Sequence, residues 1–466
     1  MSVSGPTSGD VVAERVQLSR QATKRVFRRL VPFLLLMYVI AFLDRSNVSF
    51  AQDEWQANAG ISAASYSFGA GLFFAGYAIF EVPSNLLLHR VGARWWLARI
   101  MVSWGIVSSL FMFVSGPTSF YILRFLLGVT EAGFFPGVIL YLTYWVPARD
   151  LNRARGYFYM GIALAGILGN PLSGGLLELD GVAGLHGTQW MFLVEGILAI
   201  AVGIWSYFFL TDRPRHADWL PEDQREALAT VVEQEDTAKS SGHGPTRVLR
   251  ALGNWRVWYF AAIYFCIQIA VYGMTFFLPT QVTAITGQKL GFAAALVTAI
   301  PWLFGLISVA FFPGLADRTR RHRTIGTTLL LVSALGIAIS GALSGSPVLA
   351  IGGLALAAIG FVAVQPIFWA LPTEYMTGYA AAAGIGLINS LGNLGGFLAP
   401  VMRSRFDDTV GGNAGLYSLA AGAAAAAVLM AITALFPKAN TIETGEAETL
   451  RAARQARRNA AQERTR

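Results

Sequence analysis

The chain has very little of what soluble enzymes use for chemistry. It holds one cysteine and five histidines among 466 residues, and only 13% of its residues are charged. Because Cys266 has no partner, an intramolecular disulfide is excluded, and its apolar surroundings fit a small buried side chain. The histidines are scattered, and no nucleotide-binding loop, metal-ligand cluster or nucleophile–base pair is visible. We therefore expect no cofactor, no metal and no enzymatic activity, and an ATP-driven pump is disfavoured.

The chain is instead rich in long apolar runs. Hydrophobic residues make up 55% of it, the mean hydropathy is +0.52, and apolar runs of about 20 residues recur. Hydrocarbon offers the backbone no hydrogen-bond partner, so each run must be a helix. The pattern predicts an all-α membrane protein with twelve transmembrane helices, the first of which begins at Leu30 and is not cleaved.

Lysine and arginine are distributed unevenly over the predicted loops. Of 35 such residues, all but five fall in the two tails and in the loops on the same side. The exceptions are Arg45 and Arg124 inside predicted helices, and Lys289, Arg403 and Arg405 on the opposite side. The positive-inside rule then places both termini in the cytoplasm and predicts a multi-pass protein of the cytoplasmic membrane. The net charge of +8 reflects this orientation and contact with anionic lipids rather than nucleic-acid binding.

A long polar segment divides the predicted helices into two groups of six. The resulting regions are a cytoplasmic N-terminal tail (1–29), a six-helix bundle (30–210), a cytoplasmic linker with an amphipathic helix (211–255), a second six-helix bundle (256–436) and a cytoplasmic C-terminal tail (437–466).

Short sequence echoes relate the two bundles. The segment Gly314–Arg318 follows the eighth predicted helix as Asn85–Gly92 follows the second, and Gly169–Gly175 in the fifth helix recurs as Gly392–Gly396 in the eleventh. Both pairs are offset by about 225 residues. Internal repeats are typical of secondary transporters, which rock one half against the other around a midplane site. We therefore predict two pseudo-symmetric six-helix bundles.

Charged residues inside the predicted helices are the strongest functional signal. Asp44 and Arg45 are neighbours in the first helix, so their side chains diverge by about 100° and can face a partner helix and a cavity. Arg124 and Glu131 lie seven residues apart on one face of the fourth helix. Ionisable residues at membrane depth are expensive and usually mark ion or substrate pathways. The alternative is a static buried network that only holds helices together.

Charge balance suggests how such a cluster would work. With all four groups ionised, the cluster is neutral. Protonation of one carboxylate leaves an arginine without a counter-charge in a low dielectric, which favours an incoming anion. Burial favours the neutral carboxyl whereas a nearby arginine favours the carboxylate, so an anion that draws the arginine away helps a proton to bind. Each ligand would then promote binding of the other.

Further polar residues share helical faces in the second half. Gln268 and Tyr272 are four residues apart in the seventh predicted helix, as are Asn389 and Asn393 in the eleventh. Each pair can face a ligand or bond to a neighbouring helix. Trp369 lies between two prolines in the tenth helix, where it can either close over a ligand or sit at the membrane interface.

Two acidic residues receive no transport role from the sequence. Glu81 lies toward the cytoplasmic end of the second helix, where pairing with the basic loop after it is the favoured interpretation. Glu195 is expected near the outer surface at the start of the sixth helix.

Several motifs together resemble the major facilitator superfamily, and within it the anion:cation symporter family, over all twelve helices. They are Phe42–Val48, Val82–Leu88, Glu131–Gly137, Trp190–Gly196 and Phe368–Asn393. Residues 272–282 and 357–366 are similar to the rhamnonate and galactonate branch of that family. Members move organic anions together with protons, so the resemblance implies the major facilitator fold and this activity.

The resemblance also implies roles for particular residues. Asp44 and Glu131 would carry the proton, and Arg45 would bind the substrate carboxylate, with Arg124 in their charge network. The residues expected to line the binding site are Tyr77, Gln268, Tyr272, Trp369, Asn389 and Asn393; for Tyr77 the resemblance is the only basis. A conformational latch would comprise Arg90, Asp317 and Arg318. His89 replaces the usual acid and Pro313 the usual glycine of the latch motifs, which shifts this role toward the second half.

The sequence thus predicts proton-coupled import of a small organic anion, a sugar acid such as an aldonate or hexuronate, by alternating access. The expected partners are the anion, a proton and membrane lipids, with the protein a monomer. The alternatives are a symporter of aromatic or dicarboxylic acids such as phthalate or tartrate, an efflux antiporter and a non-transporting sensor. Arg45 beside Asp44 favours anions over cations, and no signalling domain accompanies the helices.

Overall fold

The described residues of the computed structural model are 8–240, 253–375 and 379–436, and their regular secondary structure is helical. The α-helices of these ranges are α1 Ser8–Ser46, α2 Gln52–Asn58, α3 Ala63–Val91, α4 Ala93–Leu110, α5 Pro117–Glu131, α6 Phe134–Trp145, α7 Ala148–Leu177, α8 Gly187–Phe209, α9 Glu222–Ser240, α10 Trp255–Thr286, α11 Phe292–Thr319, α12 His322–Ala342, α13 Pro347–Phe368, α14 Ala370–Tyr375, α15 Tyr379–Val410 and α16 Ala414–Ile432. The predicted C-terminal tail, 437–466, lies outside the described residues.

Within the described residues, twelve segments are long and apolar enough to cross a membrane, as the sequence predicts. Two of them are interrupted: α5 and α6 form the fourth span, and α13 and α14 the tenth. Because an even number of spans returns the chain to its starting side, the beginning of α1 and the end of α16 lie at one membrane face. We call it the terminal face, and the other the distal face.

The same helix pairings occur in both halves, which confirms two pseudo-symmetric six-helix bundles. In the first half, the first span packs on the fifth (α1 on α7), the second on the fourth (α3 on α5) and the third on the sixth (α4 on α8). The second half repeats this order with α10 on α15, α11 on α13 and α12 on α16. The halves meet where the second span of each packs on the fifth of the other, α3 on α15 and α11 on α7.

The helix α1 begins well before the predicted start of the first span at Leu30. Residues 8–29, predicted as a polar tail, are part of α1, which also packs on α9. Ser19, Ala22, Thr23 and Val26 are buried there, and their spacing of three and four residues forms one helical stripe. The predicted amphipathic helix of the linker corresponds to α9, which buries Leu228, Ala229 and Val232.

The interruption of the fourth span follows directly after Glu131. Gly133 has φ +86°, a left-handed conformation that costs other residues about 1–2 kcal/mol. The backbone turn ends α5 at Glu131 and allows α6 to restart at a new angle. In the second half, the corresponding span is interrupted at Trp369, three residues after Pro366, whose missing N–H weakens the helical ladder.

Candidate binding site

A central cavity lies between the two halves, with about 380 Å³ of empty space when its opening to solvent is included. Its walls come from α1, α3, α6 and α7 on one side and from α10, α13 and α15 on the other. The lining residues are Tyr38, Phe42, Arg45, Tyr77, Phe135, Tyr159, Ile162, Tyr264, Gln268, Val271, Tyr272, Gln365, Asn389 and Asn393. Among these described lining residues, Arg45 alone carries a formal charge.

Arg45 is held by both halves of the protein. Its Nε donates to Glu131 Oε1 at 2.7 Å, and Nη2 forms an ion pair with the same oxygen. Its Nη1 donates to the hydroxyl of Tyr272 at 3.0 Å, from the opposite half. The guanidinium also lies 5.2 Å from the ring centroid of Tyr77, within range of a cation–π interaction. Arg45 is thus preorganised at the cavity wall with donors arranged for a carboxylate.

Glu131 and Arg124 complete one side of the charge network. Glu131 is fully buried, and its Oε2 has no hydrogen-bond partner. Arg124 is also buried and donates from Nη2 to the backbone oxygen of Ala70 at 3.0 Å. The guanidiniums of Arg45 and Arg124 lie 5.3 and 5.1 Å from the ring of Phe73. Arg124 therefore contributes charge next to the pair, while Arg45 makes the direct contact with Glu131.

Asp44 faces away from the cavity toward α4. Its Oδ1 accepts from Ser108 Oγ at 2.7 Å and from Asn47 Nδ2 at 3.3 Å. The same amide of Asn47 donates to Glu195 Oε2 at 2.9 Å, and Ser173 Oγ donates to Glu195 Oε1 at 2.7 Å. Glu195 is fully buried, in the half of α8 that begins at the distal face. It lies eight residues into α8 and is bridged to Asp44 by one amide.

Three amides form a chain across the second half. Gln268 Nε2 donates to Asn393 Oδ1 at 2.9 Å, and Gln365 Nε2 donates to Gln268 Oε1 at 2.7 Å. The four-residue spacings place Gln268 with Tyr272, and Asn389 with Asn393, on the same cavity wall. The two bonds connect the three amides to one another along the cavity wall.

Glu81 does not pair with the basic loop that follows α3, so that interpretation is wrong. Its side chain is only 3% exposed, and its oxygens accept from Asn389 Nδ2 at 2.5 Å and from Ser390 Oγ at 2.7 Å, both on α15. The sequence had associated this residue with its own loop because of proximity along the chain. In the structure, Glu81 instead bonds across the interface between the two halves.

The remaining predicted residues lie outside the cavity wall. Trp369 packs on Tyr264, with ring centroids 4.9 Å apart, and so supports a lining residue without being one. Of the latch residues, Arg90 and Arg318 are exposed, and Asp317 bonds to His322 Nε2 at 2.8 Å within the same half.

Arg403, which the sequence places on the distal side, is buried within α15. It donates from Nη2 to Gln281 Oε1 at 2.8 Å, and its Nε lies 3.6 Å from a carboxylate oxygen of Asp407.

Four polar lining residues are missing from the sequence-based site: Tyr38, Tyr159, Tyr264 and Gln365. Tyr38 lies seven residues before Arg45, which places both on one helical face. Helical spacing could therefore have predicted Tyr38 as a lining residue. Gln365 is a polar residue in the proline-flanked stretch around Trp369. Nothing in the local sequence distinguishes Tyr159 and Tyr264 from tyrosines of the helix core.

A polar cavity at the interface of two repeated six-helix bundles is the arrangement found in secondary transporters. Consistent with this geometry, the family model described as Major Facilitator Superfamily matches residues 34–400. The chain belongs to this superfamily.

Individual proteins that are similar to this chain are named as transporters. The "Inner membrane transport protein RhmT" of Escherichia coli (strain K12) is 45% identical over 394 residues, which cover 84% of this chain and 90% of that protein. A "Putative tartrate transporter" of Agrobacterium vitis is 42% identical, over 90% and 92%. The partially occluded inward-open structure of the xylose transporter XylE from E. coli is similar in fold, with a TM-score of 0.68 at 14% identity, over 86% of this chain and 97% of that one. The chain is therefore a multi-pass membrane transporter.

Proposed function

We propose that the protein imports a sugar acid, an aldonate or hexuronate, together with a proton by alternating access, across the cytoplasmic membrane and with both termini in the cytoplasm. The observation that carries this proposal is the composition of the cavity wall. One guanidinium provides a site for one carboxylate, and the phenols and amides around it are donors and acceptors suited to hydroxyl groups. A monocarboxylate with several hydroxyl groups matches this arrangement.

The Arg45–Glu131 ion pair accounts for proton coupling. A substrate carboxylate that binds Arg45 competes with Glu131 for the same donors. A buried carboxylate without its cation costs several kcal/mol, so Glu131 takes up a proton when it is displaced. The Arg45 site holds one cation and one anion before and after the exchange, so Glu131 contributes one proton for each monovalent anion. Asp44, on the other face of α1, is the second proposed proton site, and Asn47 connects it to Glu195.

A dicarboxylate such as tartrate is the second candidate, favoured by the Agrobacterium vitis relative. Tartrate is also a hydroxylated acid, so much of the polar wall would serve it equally well. Its second carboxylate would need another donor set, however, since Arg45 is the single charged group among the described lining residues. The wall therefore fits a monocarboxylate better.

Transport assays in proteoliposomes test this proposal. We expect wild-type protein to accumulate an aldonate or hexuronate when the outside is acidic, and to prefer it over tartrate and phthalate. Asp44→Asn and Glu131→Gln, which preserve side-chain size, should abolish accumulation driven by the pH gradient while substrate exchange without a gradient persists. Gradient-driven accumulation by both variants at the wild-type level would remove these residues as proton sites. Preference for an aromatic acid or a dicarboxylate would refute the substrate class.

A further inference from the structure

Glu81 takes no part in the exchange at Arg45, although it joins the two halves beside the cavity. Both of its carboxylate oxygens accept hydrogen bonds from α15, one from Asn389 and one from Ser390. Asn389 also lines the cavity, as does Tyr77, one turn before Glu81 on α3. A buried acid of the first half is thus bonded to the cavity wall of the second.

The position of Glu81 along α3 shows on which side of the cavity its two hydrogen bonds lie. Ten residues, or about 15 Å of helix, separate Glu81 from Val91, where α3 ends at the terminal face. At the distal face, a different contact joins the halves: Glu178 Oε1 accepts from the backbone N–H of Phe292 at 3.0 Å. The bonds of Glu81 therefore close the cavity toward the terminal face.

We propose that Glu81 is a positioning residue for transport, a proton-sensitive clasp that holds α3 to α15 when ionised and releases them when protonated. This inference rests on the proposed proton-coupled function. The ionised carboxylate accepts both bonds as charge-assisted interactions, which are about twice as strong as neutral ones. The protonated acid has one oxygen that must donate instead, yet Asn389 Nδ2 and Ser390 Oγ both donate in this arrangement. Protonation therefore weakens the connection between the halves.

The surroundings of Glu81 link the clasp to substrate binding. The charged and titratable groups that interact electrostatically with it are Arg45 of α1, Tyr77 of α3, and Tyr264 and Tyr272 of α10. The phenols are neutral at physiological pH, and the charge of Arg45 is balanced by Glu131. Asn389 donates to Glu81 and also lines the cavity, so a substrate that draws this amide away favours protonation of Glu81 and opening toward the terminal face. Loss of that proton after release closes the same face.

The pH dependence of substrate exchange in proteoliposomes tests the clasp. Exchange requires opening at the terminal face, so we expect it to fall as Glu81 ionises at rising pH. Glu81→Gln should remove the part of this fall that Glu81 causes and leave the part that protonation of Glu131 imposes on substrate binding, so exchange at high pH should exceed that of the wild type. Ser390→Ala removes one donor to the carboxylate, which disfavours ionisation and should move the fall upward by about one pH unit. Ser418→Ala is the matched control, because this buried serine of α16 donates to the backbone oxygen of Gly415 and should leave the profile unchanged.

A distance measurement reports the clasp without any substrate. Spin labels at Leu86→Cys on α3 and Thr319→Cys on α11, in a Cys266→Ala background, would measure the separation of the halves at the terminal face. We expect a longer distance to gain population as the pH falls, and to dominate at every pH in the Glu81→Gln variant.

The two measurements separate the clasp from the transport proposal. Wild-type proteoliposomes that take up no organic anion would refute the proposed function, while the label distances would still report the clasp. Active wild-type transport with pH-independent distances and an unshifted Ser390→Ala profile would refute the clasp. If Glu81→Gln fails to fold, Ser390→Ala still decides, because a shift of its exchange profile supports the clasp and an unchanged profile contradicts it.

Discussion

Replacement of Arg45 by lysine is the sharpest perturbation of the proposed substrate site. Arg45 uses Nε and Nη2 on Glu131 and Nη1 on Tyr272, and we propose that the substrate carboxylate takes over the same planar fork. Lysine keeps the positive charge, so Glu131 retains a counter-ion, but its ammonium cannot reproduce a two-point grip on a carboxylate. The change therefore tests recognition geometry more than charge.

The expected loss follows from the number of bonds removed. One hydrogen bond to a charged group contributes about 1.5–3 kcal/mol, and about 1.4 kcal/mol corresponds to a tenfold change in affinity. Arg45→Lys should therefore weaken sugar-acid binding by about 10- to 100-fold. The apparent melting temperature without substrate should stay near that of the wild type. Arg45→Ala should lower it, because removal of one partner of a buried ion pair costs about 3–5 kcal/mol.

Ligand-dependent thermal unfolding of the purified protein measures both quantities, since a ligand that binds the folded state raises its apparent stability by mass action. Arg403→Lys is the matched control, because Arg403 is a buried arginine outside the cavity wall that bonds to Gln281. It should retain wild-type substrate affinity. An Arg45→Lys variant that binds the sugar acid within twofold of the wild type would refute the proposed role of the guanidinium.

Two further predictions concern the frame of the site. Gly133→Ala should lower the apparent melting temperature and impair transport, because φ +86° and the nearby side chain of Ser84 disfavour a Cβ there; Gly352→Ala on α13, which has open space around it, should do neither. Asn47→Ala should lower stability by about 1–3 kcal/mol, since buried Glu195 loses a donor. Thermal unfolding in detergent checks both, and unchanged melting temperatures would contradict them.

Sequence reasoning was most successful where a single helix carries the information. Spans were recognisable because each must satisfy its own backbone in hydrocarbon, and the membrane-depth charges at Asp44, Arg45, Arg124 and Glu131 stand out against an apolar background. Faces shared at four-residue spacing placed Gln268 with Tyr272 on one wall of the cavity. Each of these predictions needs only helical periodicity.

Partnerships between helices were beyond this reasoning. Glu81 and Glu195 both appeared to belong to the nearest loop or surface, yet they bond to Asn389 and to Asn47, far away in the sequence. A buried acid at membrane depth can be satisfied by any polar group that packing brings close, and several candidates existed for each. Tyr159 and Tyr264 could not be predicted for the same reason, because the local sequence around a tyrosine that lines a cavity does not differ from that around a tyrosine in the helix core.

The sequence by itself determined the number of spans, their repeat in two halves and the presence of two arginines and two acids at membrane depth. These follow from hydropathy, from internal similarity and from the cost of charge in hydrocarbon. The tertiary structure alone decided that Arg45 faces the cavity while Asp44 faces α4, and that Glu81 joins the halves. The orientation of α1 about its own axis makes the first choice, and the packing of α3 on α15 makes the second. Both depend on contacts between distant segments, which no single helix encodes.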